Sequence, residues 1–137
     1  MNKIISFVMV GTNDLEKSIK FYDAIFIHLG IKKITTTEKY VGYGHANEPH
    51  EVKFYITKPY NKKPATIGNG TMIALLAGTK EAVDKFHATA IENGAVDEGS
   101  PGIRTDGNYY GYVRDLDGNK ITAKCITGQI KNLANDF

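Results

Sequence analysis

The sequence lacks the features that mark secreted, disulfide-stabilised or membrane-spanning proteins. Its only cysteine is Cys125, so no internal disulfide can form, and we expect a reducing, cytoplasmic location. No apolar run approaches the roughly 18 residues that a membrane-spanning helix requires. The N-terminal segment MNKIISFVMV is not followed by a small-residue cleavage site, so it predicts a strand and not a secretion signal.

A strong excess of charge of either sign is also missing. The chain of 137 residues has 17 basic and 15 acidic side chains, a net charge of +2, with 42% hydrophobic and 23% charged residues. This balance argues against a nucleic-acid partner or an anionic membrane surface. Lys58, Lys62 and Lys63 form only a small basic cluster. The composition predicts one ordinary globular domain over residues 1–137.

The first half of the chain predicts a strand, a helix and three short strands. Residues 4–10, IISFVMV, are apolar and β-branched and end at Gly11. Asn13 and Glu16 have the spacing of a capping box, and Gly30 is placed to end the helix. The helix has one apolar stripe, which consists of Leu15, Ile19, Tyr22, Phe26 and Leu29. Three strands follow it, at 31–37, 40–44 and 51–57.

The second half predicts the same order of elements after a connector at 58–70, which holds two of the four prolines. Residues 71–77, TMIALLA, form an apolar strand, and Thr79 can cap a helix that ends at Gly94. Two or three strands come after the helix. The inward-facing helix positions are predicted to be Val83, Phe86, Ala90 and Ile91.

The two halves therefore predict a duplicated β-α-β-β-β unit. Sliding the sequence by 64 residues places Ile19 on Val83 and Gly30 on Gly94. We expect module one at about 1–57, the connector at 58–70, module two at about 71–126 and a polar tail at 127–137. Each module would have one sheet face left to bury, and pairing the two modules would enclose a cavity.

The segment YVRDLDGNKITAKC, residues 112–125, places oxygen-bearing side chains at alternate positions, as a calcium loop does. An EF-hand needs glycine at its sixth position and an acidic ligand at its twelfth, and here these are Lys120 and Ile126. The segment is instead typical of a hairpin, with Asp117-Gly118 supplying the tight turn.

This hairpin carries a family resemblance. NYYGYVRDLDGNKI (108–121) resembles the closing signature of the glyoxalase/bleomycin resistance/extradiol dioxygenase superfamily, also called the vicinal oxygen chelate fold. GTNDLEKSIKFYD (11–23) is similar to the family's first strand-to-helix transition, and GNGT (68–71) with AVDKFH (82–87) to the start of its second module. The resemblance implies an α+β fold of two βαβββ modules, which form a curved mixed sheet around a central pocket.

In metal-dependent members, the resemblance implies a divalent ion held by histidines from the first strand of each module and a glutamate from the last strand. At the matching positions this sequence has Phe7, Met72 and Thr122. None of the three is a good ligand for such an ion. A slip of one residue would offer Ser6 or Thr71, which are also weak ligands. We therefore expect no metal cofactor, unless a divalent ion occupies a non-standard site.

Other candidate groups have simpler interpretations. His45, Glu48, His50 and Glu51 cluster in a predicted loop, without the spacing of a metal motif, and solvated side chains are favoured. Cys125 has no partner cysteine and is interpreted as a buried, inert thiol. His28 and His87 lie on the predicted helices and are interpreted as structural.

The predicted pocket would be apolar and aromatic. Tyrosines 109, 110 and 112 lie on the strand facing Thr122, and either Tyr109 or Tyr110 must point inward. Arg104 is placed either at the pocket mouth or in a solvated loop. The full set of predicted ligand-binding residues is Phe7, Met9, Met72, Arg104, Tyr109, Tyr110 and Thr122.

These residues favour a metal-free protein that binds a small apolar or aromatic molecule. The alternative is a lyase, isomerase or dioxygenase that uses a relocated metal or acid–base side chains, with Tyr110, Arg104 and His45 as candidates. A third interpretation is a regulatory or interaction subunit, and the family resemblance also implies that the chain can form a homodimer.

Overall fold

Each half of the chain folds as strand, helix and three strands, in the same order. The structure is a computed structural model that describes residues 4–128. The first half contains β1 (Val8–Gly11), α1 (Leu15–Phe26), β2 (Ile31–Thr36), β3 (Tyr40–His45) and β4 (Phe54–Thr57). The second contains β5 (Met72–Leu76), α2 (Lys80–Glu92), β6 (Val96–Ile103), β7 (Tyr109–Arg114) and β8 (Lys120–Cys125). The predicted α+β fold of two βαβββ modules is confirmed.

The two sheets share one topology. The first has the strand order β1-β4-β3-β2 and the second β5-β8-β7-β6. In each sheet the first and last strands of the module pair in parallel, and the other neighbours are antiparallel. Within residues 4–128 no helix is both long and apolar enough to cross a membrane.

The repeat holds in a slightly different register from the predicted one. Asp14 and Thr79 are the N-caps of α1 and α2, and they lie 65 residues apart. The same offset relates buried Phe21 to buried Phe86. Gly30 and Gly94, both with positive φ, keep the predicted offset of 64. The offset changes because the segment from the N-cap to the glycine is one residue longer in module one than in module two.

The helix starts follow local hydrogen bonding. Thr79 caps α2 as predicted, since its hydroxyl accepts from the Ala82 amide at 3.0 Å. At α1 the predicted cap, Asn13, is wrong: the Asp14 carboxylate accepts from the Lys17 amide at 3.1 Å. The Asn13 side chain is used elsewhere, because it exchanges two hydrogen bonds with the backbone of Ala65 in the connector.

Other boundaries also differ from the sequence prediction. The first strand begins at Val8, so Phe7 precedes it, and the predicted strand 51–57 is limited to β4. Ile91 was expected to face the core but is exposed. As predicted, 58–70 contains neither helix nor strand. Residues 129–137 of the predicted tail lie outside the described residues.

The helices cover one face of each sheet and form the core there. In module one this core is a cluster of aromatic rings, with centroids of Tyr22, Phe26, Tyr43 and Phe54 mostly 5.0–5.3 Å from their neighbours. Module two has a smaller core. Its fully buried apolar side chains are Val83, Phe86, Ala90, Val113, Ile121 and Ala123.

The opposite face of each sheet is open. Phe7, Met9, Met72 and Leu76 lie on this open face and are 50%, 49%, 43% and 68% exposed. The helices α1 and α2 pack against each other on the covered side. Val10 of β1 and Ile73 of β5 line one small cavity, so these edge strands of the two sheets lie near each other. In the single chain the free faces of the two sheets are open, and a cavity enclosed between the modules stays a prediction.

The turn between β7 and β8 joins the two modules by hydrogen bonds that we call the inter-module network. The Tyr22 hydroxyl of α1 donates to the Asp115 carboxylate at 2.6 Å, and the Asn119 amide donates to the Gly11 carbonyl at 2.9 Å. Asp117 accepts from the Asn13 backbone amide and from the Ser18 hydroxyl. The carboxylates of Asp115 and Asp117, which resembled calcium ligands in the sequence, therefore accept hydrogen bonds from protein donors.

Removing the Tyr22 hydroxyl tests the inter-module network. In Tyr22→Phe, the buried Asp115 carboxylate loses a donor, and we expect the free energy of unfolding to fall by about 1.5–3 kcal/mol. Chemical denaturation measures this change. Tyr60→Phe is the matched control, because the Tyr60 ring is fully exposed and should leave stability unchanged. An equal, small effect of both changes would contradict the assigned role of the network.

The same tyrosine predicts a loss of stability in alkali. Burial, reinforced by the neighbouring Asp115 carboxylate, raises the pKa of Tyr22 well above its ordinary 10.0. A group whose pKa is raised in the folded state stabilises the fold fully below its unfolded pKa, and loses that contribution as the pH rises. Above about pH 10, the free energy of unfolding should fall by up to ~1.4 kcal/mol per pH unit for each such tyrosine.

Comparing wild type with Tyr22→Phe isolates this contribution, because the two proteins differ only in the Tyr22 hydroxyl. Denaturation midpoints across the alkaline range should fall less steeply in Tyr22→Phe than in wild type. Parallel curves would show that Tyr22 does not titrate in the way its burial requires.

Candidate functional site

The strand β7 separates the two tyrosines that the sequence left undecided. Tyr109 lies on the helix-covered side, where its hydroxyl donates to Asp84 of α2 at 2.6 Å. Tyr110 and Tyr112 lie on the open face, with rings stacked at 5.6 Å and an interplanar angle of 7°. Because side chains alternate along a strand, Tyr110 shares the open face and Tyr109 does not. Contact of either residue with a ligand stays a prediction, and the position of Tyr109 does not support it.

The open face of the first sheet is apolar and aromatic. The rings of Phe7 and Tyr55 meet edge to face at 5.0 Å, and Tyr40 packs on Tyr55 at 5.6 Å. Gly42 of β3 leaves room for these rings, because a Cβ at this position would come within 3.0 Å of the Tyr55 ring. Phe7 and Met9 therefore lie on an apolar surface, and their contact with a ligand stays a prediction.

Thr122 occupies the middle of the second sheet but is not accessible from solvent. Its register partners are Ala74 on β5 and Tyr112 on β7. The side chain is completely buried, and its hydroxyl donates to the Gly111 carbonyl at 2.8 Å. The hydroxyl is therefore committed to the sheet, and contact between Thr122 and a ligand stays a prediction that this arrangement does not support.

The donor set does not fit the divalent metal that the fold family implies. Phe7 offers a phenyl ring that packs on Tyr55, Met72 a thioether, and Thr122 a hydroxyl that already donates to a carbonyl. Hard and borderline ions require carboxylates, imidazoles or free oxygens. Among residues 4–128, no group of three or more His, Cys, Asp or Glu side chains could hold a metal ion.

Three cations gather over the tyrosines of the second sheet. The Arg104 guanidinium lies 5.3 Å and the Lys120 ammonium 5.5 Å from the Tyr112 ring centroid. The Lys124 ammonium lies 5.6 Å from the Tyr110 centroid. We call these five residues the cationic face. The sequence left Arg104 either at the pocket mouth or in a solvated loop, and the position of its guanidinium over Tyr112 favours the first alternative.

Sequence analysis missed Lys120, Lys124 and the place of Tyr112 in the site. On β7 and β8, Lys120 is paired with Arg114 and Lys124 with Tyr110, each two residues from the Tyr112–Thr122 pair. The only signal in the sequence is the alternation Lys-Ile-Thr-Ala-Lys. That alternation indicates a cationic site only when the cross-strand register is known.

Tyr110 is held as a neutral phenol. Its hydroxyl donates to the carboxylate of Asp106 in the loop before β7. Partial burial and this hydrogen bond raise the pKa of Tyr110 to about 12. The same bond, with the Asn108 backbone amide, lowers the pKa of Asp106. Tyr110 therefore cannot accept a proton as a general base near neutral pH.

His45 lies away from these groups. It lines a different cleft, of about 690 Å³, between the end of β3 and the start of α2, together with His28 and Cys125. There the His45 Nδ1 accepts from the Asn47 amide at 3.1 Å. The His28 ring is hydrogen-bonded to the Thr89 hydroxyl at 3.0 Å. The structure thus does not bring together Tyr110, Arg104 and His45, the candidates for acid–base catalysis.

Comparison with known proteins agrees with this architecture. A crystal structure of a glyoxalase/bleomycin resistance protein from Albidiferax ferrireducens T118 is 44% identical and has a TM-score of 0.83, with 91% of this chain and 100% of that chain covered. No curated protein matches the sequence.

More distant structures share the fold. A fosfomycin resistance protein from Listeria monocytogenes is 19% identical, with a TM-score of 0.65 and coverage of 93% of this chain and 96% of that chain. A lactoylglutathione lyase from Agrobacterium tumefaciens is 18% identical, with a TM-score of 0.63 and coverage of 91% and 95%. The family model described as Glyoxalase/Bleomycin resistance protein/Dioxygenase superfamily matches residues 4–122. The chain belongs to this superfamily.

Proposed function

We propose that the protein binds a small organic molecule on the open face of its sheets, without a metal ion. The observation that carries this proposal is the set of residues at the three family ligand positions. Phe7, Met72 and Thr122 supply two apolar surfaces and a hydroxyl already bonded within the sheet. Such a set stabilises an organic ligand by burying apolar surface, whereas it gives a cation no ligands.

The exposed apolar side chains support the same function. Phe7, Met9, Met72 and Leu76 are large, and each remains between two-fifths and seven-tenths exposed. Exposed apolar residues that cluster on one surface indicate a binding site more often than scattered ones do. Phe7 and Tyr55 meet edge to face, which adds a rigid aromatic edge for a planar molecule.

A catalytic function is less well supported by the same residues. Tyr110 is a neutral phenol that donates to Asp106, and His45 lines a separate cleft. General acid–base catalysis needs a base within hydrogen-bonding reach of its substrate, near the groups that orient it. The open face therefore favours binding over proton transfer. Association of two copies, cytoplasmic location and the identity of the ligand stay predictions.

Metal content tests the metal-free part of the proposal. Protein purified without chelators should contain far less than one equivalent of divalent metal by elemental analysis. Its melting temperature should not change when a chelator or excess Zn²⁺, Ni²⁺, Fe²⁺ or Mn²⁺ is added, since no ligand set links metal binding to folding. A stoichiometric ion whose removal lowers the melting temperature would refute this part.

Truncating Phe7 tests the binding face. In Phe7→Ala we expect the affinity for neutral aromatic compounds, measured by calorimetric titration, to fall about tenfold, because ring contact area is lost. Ile27→Ala is the control, because Ile27 is an exposed apolar residue in the 3₁₀ turn after α1. Equal losses in both variants would place the binding site elsewhere.

A further inference from the structure

We infer that the ligand of the open face carries a negative charge, and that Arg104, Lys120 and Lys124 bind its anionic group. The ligand class is therefore an organic anion with an apolar or aromatic body, such as an aryl carboxylate, sulfonate or phosphonate. This inference rests on the proposed function, because it concerns the same open face and adds the charge of the ligand.

The first support is how these cations are held in place. A tyrosine ring orients a cation through its quadrupole but does not neutralise the charge. Arg104 and Lys120 lie over Tyr112 and form no ion pair within residues 4–128. Lys124 lies over Tyr110 and near Asp106, whose pKa it helps to lower. The cationic face therefore retains a net positive charge.

Three other cations within residues 4–128 are paired with carboxylates. Arg114, which neighbours Lys120 across the strands, donates to Glu98 at 2.6 Å. Lys33 pairs with Asp23 at 3.0 Å, and Lys53 with Glu51 at 2.6 Å. The three cations of the cationic face are also half-buried, unlike the exposed lysines of the connector. Their positive charges are directed at the surface where a ligand would lie.

The second support is the backbone around Arg104. A Cβ on Gly102 would lie 2.9 Å from the Arg104 Nη1, and one on Gly99 would lie 3.3 Å from Nη2 and 2.9 Å from the Tyr112 ring. Glycine at both positions lets the guanidinium fold back over β6 onto Tyr112. A hydrogen bond from Nη2 to the Ser100 carbonyl at 2.7 Å holds it there. An arginine side chain that extended into solvent would not require glycine at these two positions.

The third support is the arrangement of rows across the second sheet. The central row, Ala74, Thr122 and Tyr112, has small side chains on β5 and β8. The rows on either side place Lys120 beside Met72, and Lys124 beside Leu76. Each of the two lysines thus has an exposed apolar side chain next to it. An amphipathic anion can bury its body on Met72 or Leu76 while its charged group meets the ammonium groups.

A matched pair of fluorescent probes tests the inference. 8-Anilino-1-naphthalenesulfonate and N-phenyl-1-naphthylamine share an aromatic body, and only the first carries an anionic group. We expect the wild-type protein to bind the sulfonate at least about fivefold more tightly than the neutral amine. Added salt should reduce this preference, because it screens the charges. Equal affinity for the two probes would overturn the inference.

Neutral replacements locate the charge. Lys120→Met and Lys124→Met keep the length of the side chain, and each should weaken sulfonate binding by about fivefold with little change for the neutral amine. Lys85→Met on α2 is the matched control, since it removes an exposed lysine from the helical side. Loss of sulfonate binding in all three variants to the same extent would show a response to net charge alone.

Gly102→Ala tests the placement of Arg104 without removing its charge. The added methyl group should displace the guanidinium from Tyr112 and weaken sulfonate binding, while thermal stability stays near wild type because a flexible side-chain end can move. Unchanged sulfonate affinity would show that Arg104 does not bind the anionic group.

The experiment separates the two proposals. If the neutral amine binds and Phe7→Ala weakens it, but the sulfonate shows no preference, the proposed function stands and the inference fails. If neither probe responds to Phe7→Ala or to the lysine variants, both fail. Tight, salt-sensitive binding of single-stranded oligonucleotides in place of the small sulfonate would also overturn the inference, because stacked tyrosines with cations can also hold nucleic acid.

Discussion

The buried carboxylate of Asp115 is the group on which the joining of the two modules depends. One oxygen accepts from the amides of Asp117 and Asn119 and so shapes the turn between β7 and β8. The other accepts from Tyr22 in the first module. A buried carboxylate is costly unless donors surround it, so the turn and the first helix must be in place together. Folding of one module is thereby coupled to docking of the other.

This coupling fixes which faces of the molecule are available for binding. With α1 and α2 packed together on one side, both free sheet faces lie on the other. The first sheet contributes aromatic and apolar side chains, and the second contributes tyrosines with cations above them. The two modules therefore have similar folds but present different side chains on their open faces. The difference resides in side chains that contribute nothing to the core.

Sequence patterns predicted the helices and strands better than the candidate site. Apolar periodicity and glycine caps identified both helices, because burial of Tyr22 or Phe86 and the positive φ of Gly30 and Gly94 impose strong local requirements. The family resemblance located the hairpin and the positions of Phe7 and Met72. The cationic face was not predictable, since Lys120 meets Tyr112 only through cross-strand register. The hydrogen bond of Thr122 to the Gly111 carbonyl was not predictable either, because a hydroxyl bonded within a sheet looks the same in sequence as a free one.

The connector has a limited physical task. Asn13 fixes it at one point by its two bonds to the Ala65 backbone, while Tyr60 extends fully into solvent. The modules are held to each other by the inter-module network and by their helices, so the peptide chain between them acts mainly as a tether that raises their effective concentration. A backbone cut near Tyr60 would leave two complementary fragments with every such contact intact.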